Sequence, residues 1–244
     1  MTLSSRTQKR LQAAHESEAT YQPNKEVAAL LNQKTLVMII GPAAIGKNFI
    51  IDTLIKTDPT FGFVPSFSTR EPRTNDEPGS MHLYLHDEVN VNRLLDLIEA
   101  GGVAQYAIHP TTGHIYGTMT EDFSRQFALL PTLTTAVESI QQLPFNKTIP
   151  IILAASPQAW KARFNQRYPQ KSDERNRRRA EAISSLVWGL AAERRDTVYW
   201  VDNTSSDPHT AVQRIINIVK YNHQGDPEAR KHAERMLELA VDEL

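Results

Sequence analysis

The residues with the clearest chemistry are Gly41-Pro42-Ala43-Ala44-Ile45-Gly46-Lys47-Asn48. The stretch before them, 35–40 (TLVMII), is β-branched and continuously apolar, as a strand covered on both faces requires. The stretch after them, 47–57, resumes with helical spacing until Asp58 and Pro59 stop it. A glycine-rich turn between strand and helix faces successive backbone N–H groups inward, and the helix N-terminus adds partial positive charge. Gly46 lets the backbone approach a phosphate, and Lys47 supplies a mobile cation for the outer phosphates. Ala43, Ala44, Ile45, Gly46, Lys47 and Asn48 are therefore the predicted phosphate cradle. A hydroxyl that would ligate Mg²⁺ is expected after the lysine; here Asn48 offers an amide oxygen, the one possible metal ligand of the loop.

Two further basic groupings stand out. Arg70 and Arg73 lie three apart in a Pro-rich loop beside Ser66, Ser68 and Thr69. Such a pair can converge on one phosphate through bidentate hydrogen bonds, although alone it is more often two solvated side chains. Residues 160–180 carry eight Lys/Arg against two Asp/Glu, a local charge of +6. Only Trp160 and Tyr168 could stack on bases there, so a nucleic-acid face is the weaker reading.

These groups need a scaffold. Asn24 can cap a short helix with Val27, Ala28, Leu30 and Leu31 on its apolar side. Candidate strands follow at 82–85, 103–108, 114–117, 129–133, 148–155 and 198–201. Helical patterns lie between them at 87–100, 120–128, 134–142, 157–168, 173–194 and 208–222, with Asp87, Thr120 and Ser156 as N-caps. Alternating strands and helices predict an α/β fold with a parallel sheet flanked by helices. Residues 1–20 are polar and read as a frayed or lone helix. The last helix starts at Asp226-Pro227 and carries a stripe of Ala229, Ala233, Met236, Leu237, Ala240 and Val241. That stripe either packs on its own domain or serves a homodimer or partner.

The ordered motifs resemble those of the guanylate kinase family. Ser66-Phe67-Ser68-Thr69-Arg70-Glu71-Pro72-Arg73 is similar to the family's Ser-x-Thr-Thr-Arg-x-Pro-Arg, and Tyr116-Gly117-Thr118 to its Tyr-Gly-Thr/Ser. Arg163-Phe164-Asn165-Gln166-Arg167 is similar to Arg-Leu-x-x-Arg, and Arg178 falls where the next family arginine is expected. The resemblance spans roughly 35–221. It implies a P-loop kinase fold over 35–222 with a small acceptor-binding subdomain (about 66–118), a lid (about 156–180), and extensions at 1–34 and 223–244. It implies ATP-dependent conversion of GMP to GDP with Mg²⁺. Lys47, Arg163, Arg167 and Arg178 would be catalytic, and Ser66, Arg70, Arg73, His82, Gln105, Tyr116 and Thr118 would bind the acceptor.

The sequence also departs from that family. His82 replaces a tyrosine on the acceptor phosphate, and Gln105 a glutamate that reads guanine. Residues 130–134 (LPTLT) lack the carboxylates of the family's Asp-x-Asp. Asn48 and His82 lean toward a second family on the same plan, ribose 1,5-bisphosphate phosphokinase. The losses together also fit a binding module that has kept the fold without the chemistry.

Composition bounds the rest. The 244 residues are 40% hydrophobic and 23% charged, with net charge −1, so nothing marks a broadly basic protein. The absence of cysteine excludes disulfides, thiolate zinc sites and a cysteine nucleophile. The first twenty residues lack a signal-peptide core, and the most apolar run, 36–40, is far below the roughly 20 residues that span a bilayer. A cytoplasmic protein without a membrane segment is expected.

Overall fold

A computed structural model describes residues 3–72, 81–83, 87–109, 112–194 and 196–242. In chain order the elements are α1 (Ser5–Ser17), α2 (Lys25–Leu31), β1 (Thr35–Ile40), α3 (Lys47–Thr57), β2 (Phe61–Phe63), β3 (Ser66–Ser68), β4 (Met81–Leu83), α4 (Glu88–Glu99) and β5 (Val103–Ile108). Then follow β6 (Ile115–Met119), β7 (Phe127–Pro131), α5 (Val137–Gln141), β8 (Lys147–Ala154), α6 (Pro157–Arg167), α7 (Asp173–Leu190), β9 (Tyr199–Asp202), α8 (His209–Tyr221) and α9 (Pro227–Asp242). The alternating α/β pattern is as predicted. One sheet has the order β2-β7-β1-β8-β9, with β8 and β9 parallel; a second has the order β4-β3-β6-β5.

The chain divides into two compact units, 1–35 with 62–128 and 138–147, and 36–61 with 129–137 and 148–244. In the second, every residue of β1 is buried, as its uninterrupted apolar run requires. Helix α3 buries Ile50, Ile51 and Leu54, and α8 buries Ala211, Val212, Ile215, Ile216, Ile218 and Val219. Each fully buried aliphatic side chain contributes about 1.5–3 kcal/mol. Helix α6 sets Trp160 and Phe164 one turn apart inside this core, with ring centroids 5.7 Å from each other.

In the first unit α4 buries Val91, Leu94, Leu95 and Ile98 under the second sheet. Asn24 caps α2 as predicted, accepting from the N–H groups of Glu26 and Val27. The expectation of a lone N-terminal helix is corrected. Arg10 of α1 bonds Glu99, Asn92 and Asp96 of α4 at 2.8, 2.7 and 2.7 Å, and Ala14 enters the apolar cluster. The polar face that looked solvated is matched to the polar face of α4.

The predicted helix at 120–128 is also absent. Thr120–Asp122 is one 3-10 turn, Thr120 makes no cap, and the chain enters β7 at Phe127. Phe127, Ala128, Leu129 and Leu130 are all buried, and a strand of that kind shows no alternation to separate it from helical spacing. The three-residue strands β2 and β3 escaped the sequence because they are too short to show a period. The helix predicted at 173–194 ends at Leu190, with a 3-10 turn after it. Part of the strand predicted at 82–85 lies outside the described residues.

Candidate active site

Beyond β1 the backbone leaves ordinary helical and extended geometry. Gly41 has φ 148°, Ala44 φ 62° and Gly46 φ 98°. At Gly46 a side chain would be strained by φ and would stand 3.0 Å from Asn203 Nδ2. Two distant side chains hold the loop: Trp160 Nε1 donates to the Ala43 carbonyl (2.9 Å) and Asn203 Nδ2 to the Ile45 carbonyl (2.8 Å). Buried Ala43 and Ile45 anchor the loop, whereas Asn48 is exposed in the first turn of α3.

Lys47 folds back over this loop, its Nζ donating to the Gly41 carbonyl (2.6 Å) and the Pro42 carbonyl (3.3 Å). Burial pushes its ammonium down to about 8; Glu181 opposes the shift, and Arg167 and Arg178 add to it. The charges of three α6 and α7 side chains therefore act on Lys47. Arg178 Nη1 lies 2.9 Å from Glu181 Oε2 and its Nη2 4.0 Å from Glu174 Oε1. Burial lowers the Arg178 pKa, but Glu181, together with Tyr168 and Glu174, leaves a net upward shift. Arg167 is exposed at the end of α6, its guanidinium 5.8 Å from the Tyr168 ring centroid.

Arg163 is engaged differently. It donates to the carbonyls of Asn203 (2.7 Å), Thr204 (3.0 Å) and Ser205 (3.2 Å). That fork ties α6 to the strand end whose Asn203 holds the glycine loop after β1. Glu181 is not readable from sequence: it lies outside every quoted motif, and its signal is only its place three residues after Arg178.

In the other unit the sheet register decides which residues share a face. Ser68 pairs with Tyr116, and Gln105 with Thr118. Alternation puts Ser66 on the same face as Ser68, and Tyr116 with Thr118. A bulge between Val103 and Gln105 turns Val103 to the apolar cluster and Gln105 to the face of Thr118. On the opposite face Phe67 pairs with Gly117, where any side chain would overlap the Phe67 ring. The glycine of Tyr116-Gly117-Thr118 thus makes room for the core, and the residues on either side of it face away. Thr118 is fully buried and its hydroxyl has no hydrogen-bond partner. Arg70 is buried at the end of β3 and donates to the Glu71 carbonyl (2.8 Å). His82 pairs in register with Phe67; its side chain and all of Arg73 lie outside the described residues.

A parallel-sheet α/β unit with a lysine-closed glycine loop and arginines on two following helices is a P-loop kinase fold. The guanylate kinase family model matches residues 33–216, and the chain belongs to that family. It is 27% identical over 195 residues to the guanylate kinase of Prochlorococcus marinus (strain MIT 9312), an alignment covering 78% of this chain and 98% of that one. It is 30% identical over 161 residues to the guanylate kinase of Tropheryma whipplei (strain Twist), covering 62% and 78%. The crystal structure of guanylate kinase from Anaplasma phagocytophilum aligns over 86% of this chain and 96% of that one, at 18% identity and a TM-score of 0.47.

Proposed function

We propose that the protein transfers the γ-phosphoryl group of ATP to GMP, releasing ADP and GDP. A phosphate oxygen of GMP bonds the γ-phosphorus while the bond from that phosphorus to the β–γ bridging oxygen breaks. Negative charge spreads over the transferring group, so catalysis is chiefly positioning and electrostatic neutralisation. The observation that carries the reading is Lys47 folded over a loop of positive-φ residues, with the charges of Arg167 and Arg178 acting on it.

In this reading the backbone of 43–48 holds the donor phosphates, and Lys47 exchanges the Gly41 and Pro42 carbonyls for phosphate oxygens. Arg167 and Arg178 stabilise the transferring group, and Arg163 supports α6. Ser66, Arg70, Arg73, His82, Gln105, Tyr116 and Thr118 bind GMP. Thr118 supports this assignment through a buried hydroxyl without a protein partner, which a bound acceptor would supply.

Among the described residues no group of three or more His, Cys, Asp or Glu is placed to hold a metal ion. Exposed Asn48 offers one amide oxygen, a donor set that fits Mg²⁺ carried by the nucleotide phosphates and water. Mg²⁺ would supply charge neutralisation between the β- and γ-phosphates. No described helix is long and apolar enough to cross a membrane.

A coupled ADP-release assay across GMP, dGMP, AMP, UMP and ribose 1,5-bisphosphate tests the proposal. Turnover fastest with GMP is expected, and no turnover with any acceptor overturns it. Asn48 and Gln105 favour one second reading, a nucleotide-binding module without turnover. Calorimetry showing GMP binding but no ATP binding selects that alternative.

A further inference from the structure

Helices α7 and α9 are joined by an arginine at each end. Arg179 of α7 donates through Nε to the Ala240 carbonyl (2.6 Å) and through Nη2 to the Val241 carbonyl (2.5 Å). Arg230 of α9 donates through Nη2 to the carbonyl of Leu190, the last residue of α7 (3.0 Å). Carbonyls in the last turn of a helix lack intrahelical partners and carry the negative end of the dipole. Each helix therefore lends the other a cationic C-terminal cap. The first half of α7 meets the end of α9, and the end of α7 meets the start of α9, so the two run antiparallel.

Between these caps α9 buries Ala229, Ala233, Met236 and Ala240. Its own contacts with the core are also fixed. Met236 Sδ accepts from the Ala155 amide (3.3 Å), His232 Nδ1 lies 3.0 Å from Asp202 Oδ1, and the Asp226 amide donates to the Trp200 carbonyl (2.7 Å). The family match ends at 216, before α9 begins at Pro227, so the clamp is an addition to what the family shares.

Arg179 directly follows Arg178, whose charge acts on Lys47. Successive helix positions point about 100° apart. One turn of α7 thus sets Arg178 against Glu174 and Glu181 and Arg179 against the end of α9, on separate faces. A slide or rotation of α7 would displace the Arg178 guanidinium, and a misplacement of about 1 Å can cost about 100-fold in rate.

We propose that Arg179 and Arg230 are positioning residues for phosphoryl transfer: by capping across the α7–α9 pair they fix the axial position and rotation of α7, and with it the placement of Arg178. This rests on the kinase reading above.

The test uses the full chain with Arg179→Ala, Arg179→Lys, Arg230→Ala and Arg178→Ala, and the Arg178→Ala/Arg179→Ala double variant. Steady-state kinetics against ATP and GMP are read beside thermal melts. Arg179→Ala is expected to lower kcat by about 10- to 100-fold, with both KM values changed less than about twofold, since the Arg179 guanidinium is engaged by the Ala240 and Val241 carbonyls. Arg179→Lys should recover part of the loss, because an ammonium can still cap the α9 carbonyls. The double variant should be no slower than Arg178→Ala alone, since Arg179 acts through Arg178. An unchanged kcat with a lowered melting temperature, or losses that add in the double variant, overturns the proposal. If Arg179→Ala does not fold, Arg230→Ala reads the same coupling from the other end: a kcat loss supports the clamp and wild-type kcat overturns it. A wild type without turnover overturns the kinase reading and the clamp together; an active wild type with unaffected variants overturns the clamp alone.

Discussion

The phosphate-loop unit and the sheet β4-β3-β6-β5 unit place their polar groups by different means. In the first, Gly41, Gly46 and Lys47 are local: a strand, a glycine turn and a helix in direct succession define the cradle, and charge does the rest. In the second, Gln105 and Thr118 are thirteen positions apart and share a face only because the β5–β6 register carries a bulge. Local backbone geometry tolerates neighbouring substitutions, whereas a register moves every side chain of a strand together. The loop unit should therefore fail by loss of charge, and the sheet unit by loss of fit.

The largest expected effect separates the two. Lys47→Ala should lower kcat by about 100- to 1000-fold, the range for removing one pre-placed stabiliser of developing charge, with the GMP KM nearly unchanged. Stopped-flow or quenched-flow phosphoryl transfer checks it, and an effect confined to KM would erase the contrast. The same residue sets a pH limit. Lys47 is held at about 8 in the unliganded protein. Its cation is the form that meets phosphate, and this form is lost as pH rises through that value. Log kcat/KM for ATP should be level below about 8 and then fall by about one unit per pH unit; a flat profile to pH 10 would remove Lys47 from the mechanism.

Smaller effects belong to the sheet unit. Thr118→Val keeps the shape and deletes a buried hydroxyl without a partner. It should raise the GMP KM about 10-fold while leaving the melting temperature unchanged or higher, because no intramolecular bond is broken. Gln105→Glu restores an acceptor-only side chain and should raise the preference for GMP over AMP several-fold, about 1 kcal/mol. A preference that stays level would mean that the bulge does not aim this residue at the base. The smallest effect is at the periphery. Asp96 and Glu99, the ionic partners of Arg10, are 71% and 57% exposed. Arg10→Ala should therefore destabilise by no more than about 1 kcal/mol, seen as a slight fall in the urea midpoint.

Much of the local structure around the candidate site is legible in the sequence. The apolar run 35–40, the glycines and Lys47 follow local rules of strand, turn and helix N-terminus, and Asn24, Asp87 and Ser156 cap helices where expected. The failures have two origins. Helix 120–128 was misread because a buried strand carries no alternation, and residues 1–20 looked solitary because their polar face finds its partners on α4, more than eighty positions away.

The sequence by itself determined which residues can carry phosphate chemistry: a glycine loop with its lysine and a basic segment of +6 are properties of adjacent side chains. Only the tertiary structure decided how they are held. Asn203 reaches the Ile45 carbonyl across 158 positions and Trp160 the Ala43 carbonyl across 117. Of the arginines on α6 and α7, Arg163 serves a strand end, Arg178 acts on Lys47, and Arg179 caps α9. Periodicity identifies a basic helix but does not assign one arginine to a phosphate and its neighbour to a carbonyl, because that assignment depends on which element the fold packs against each face.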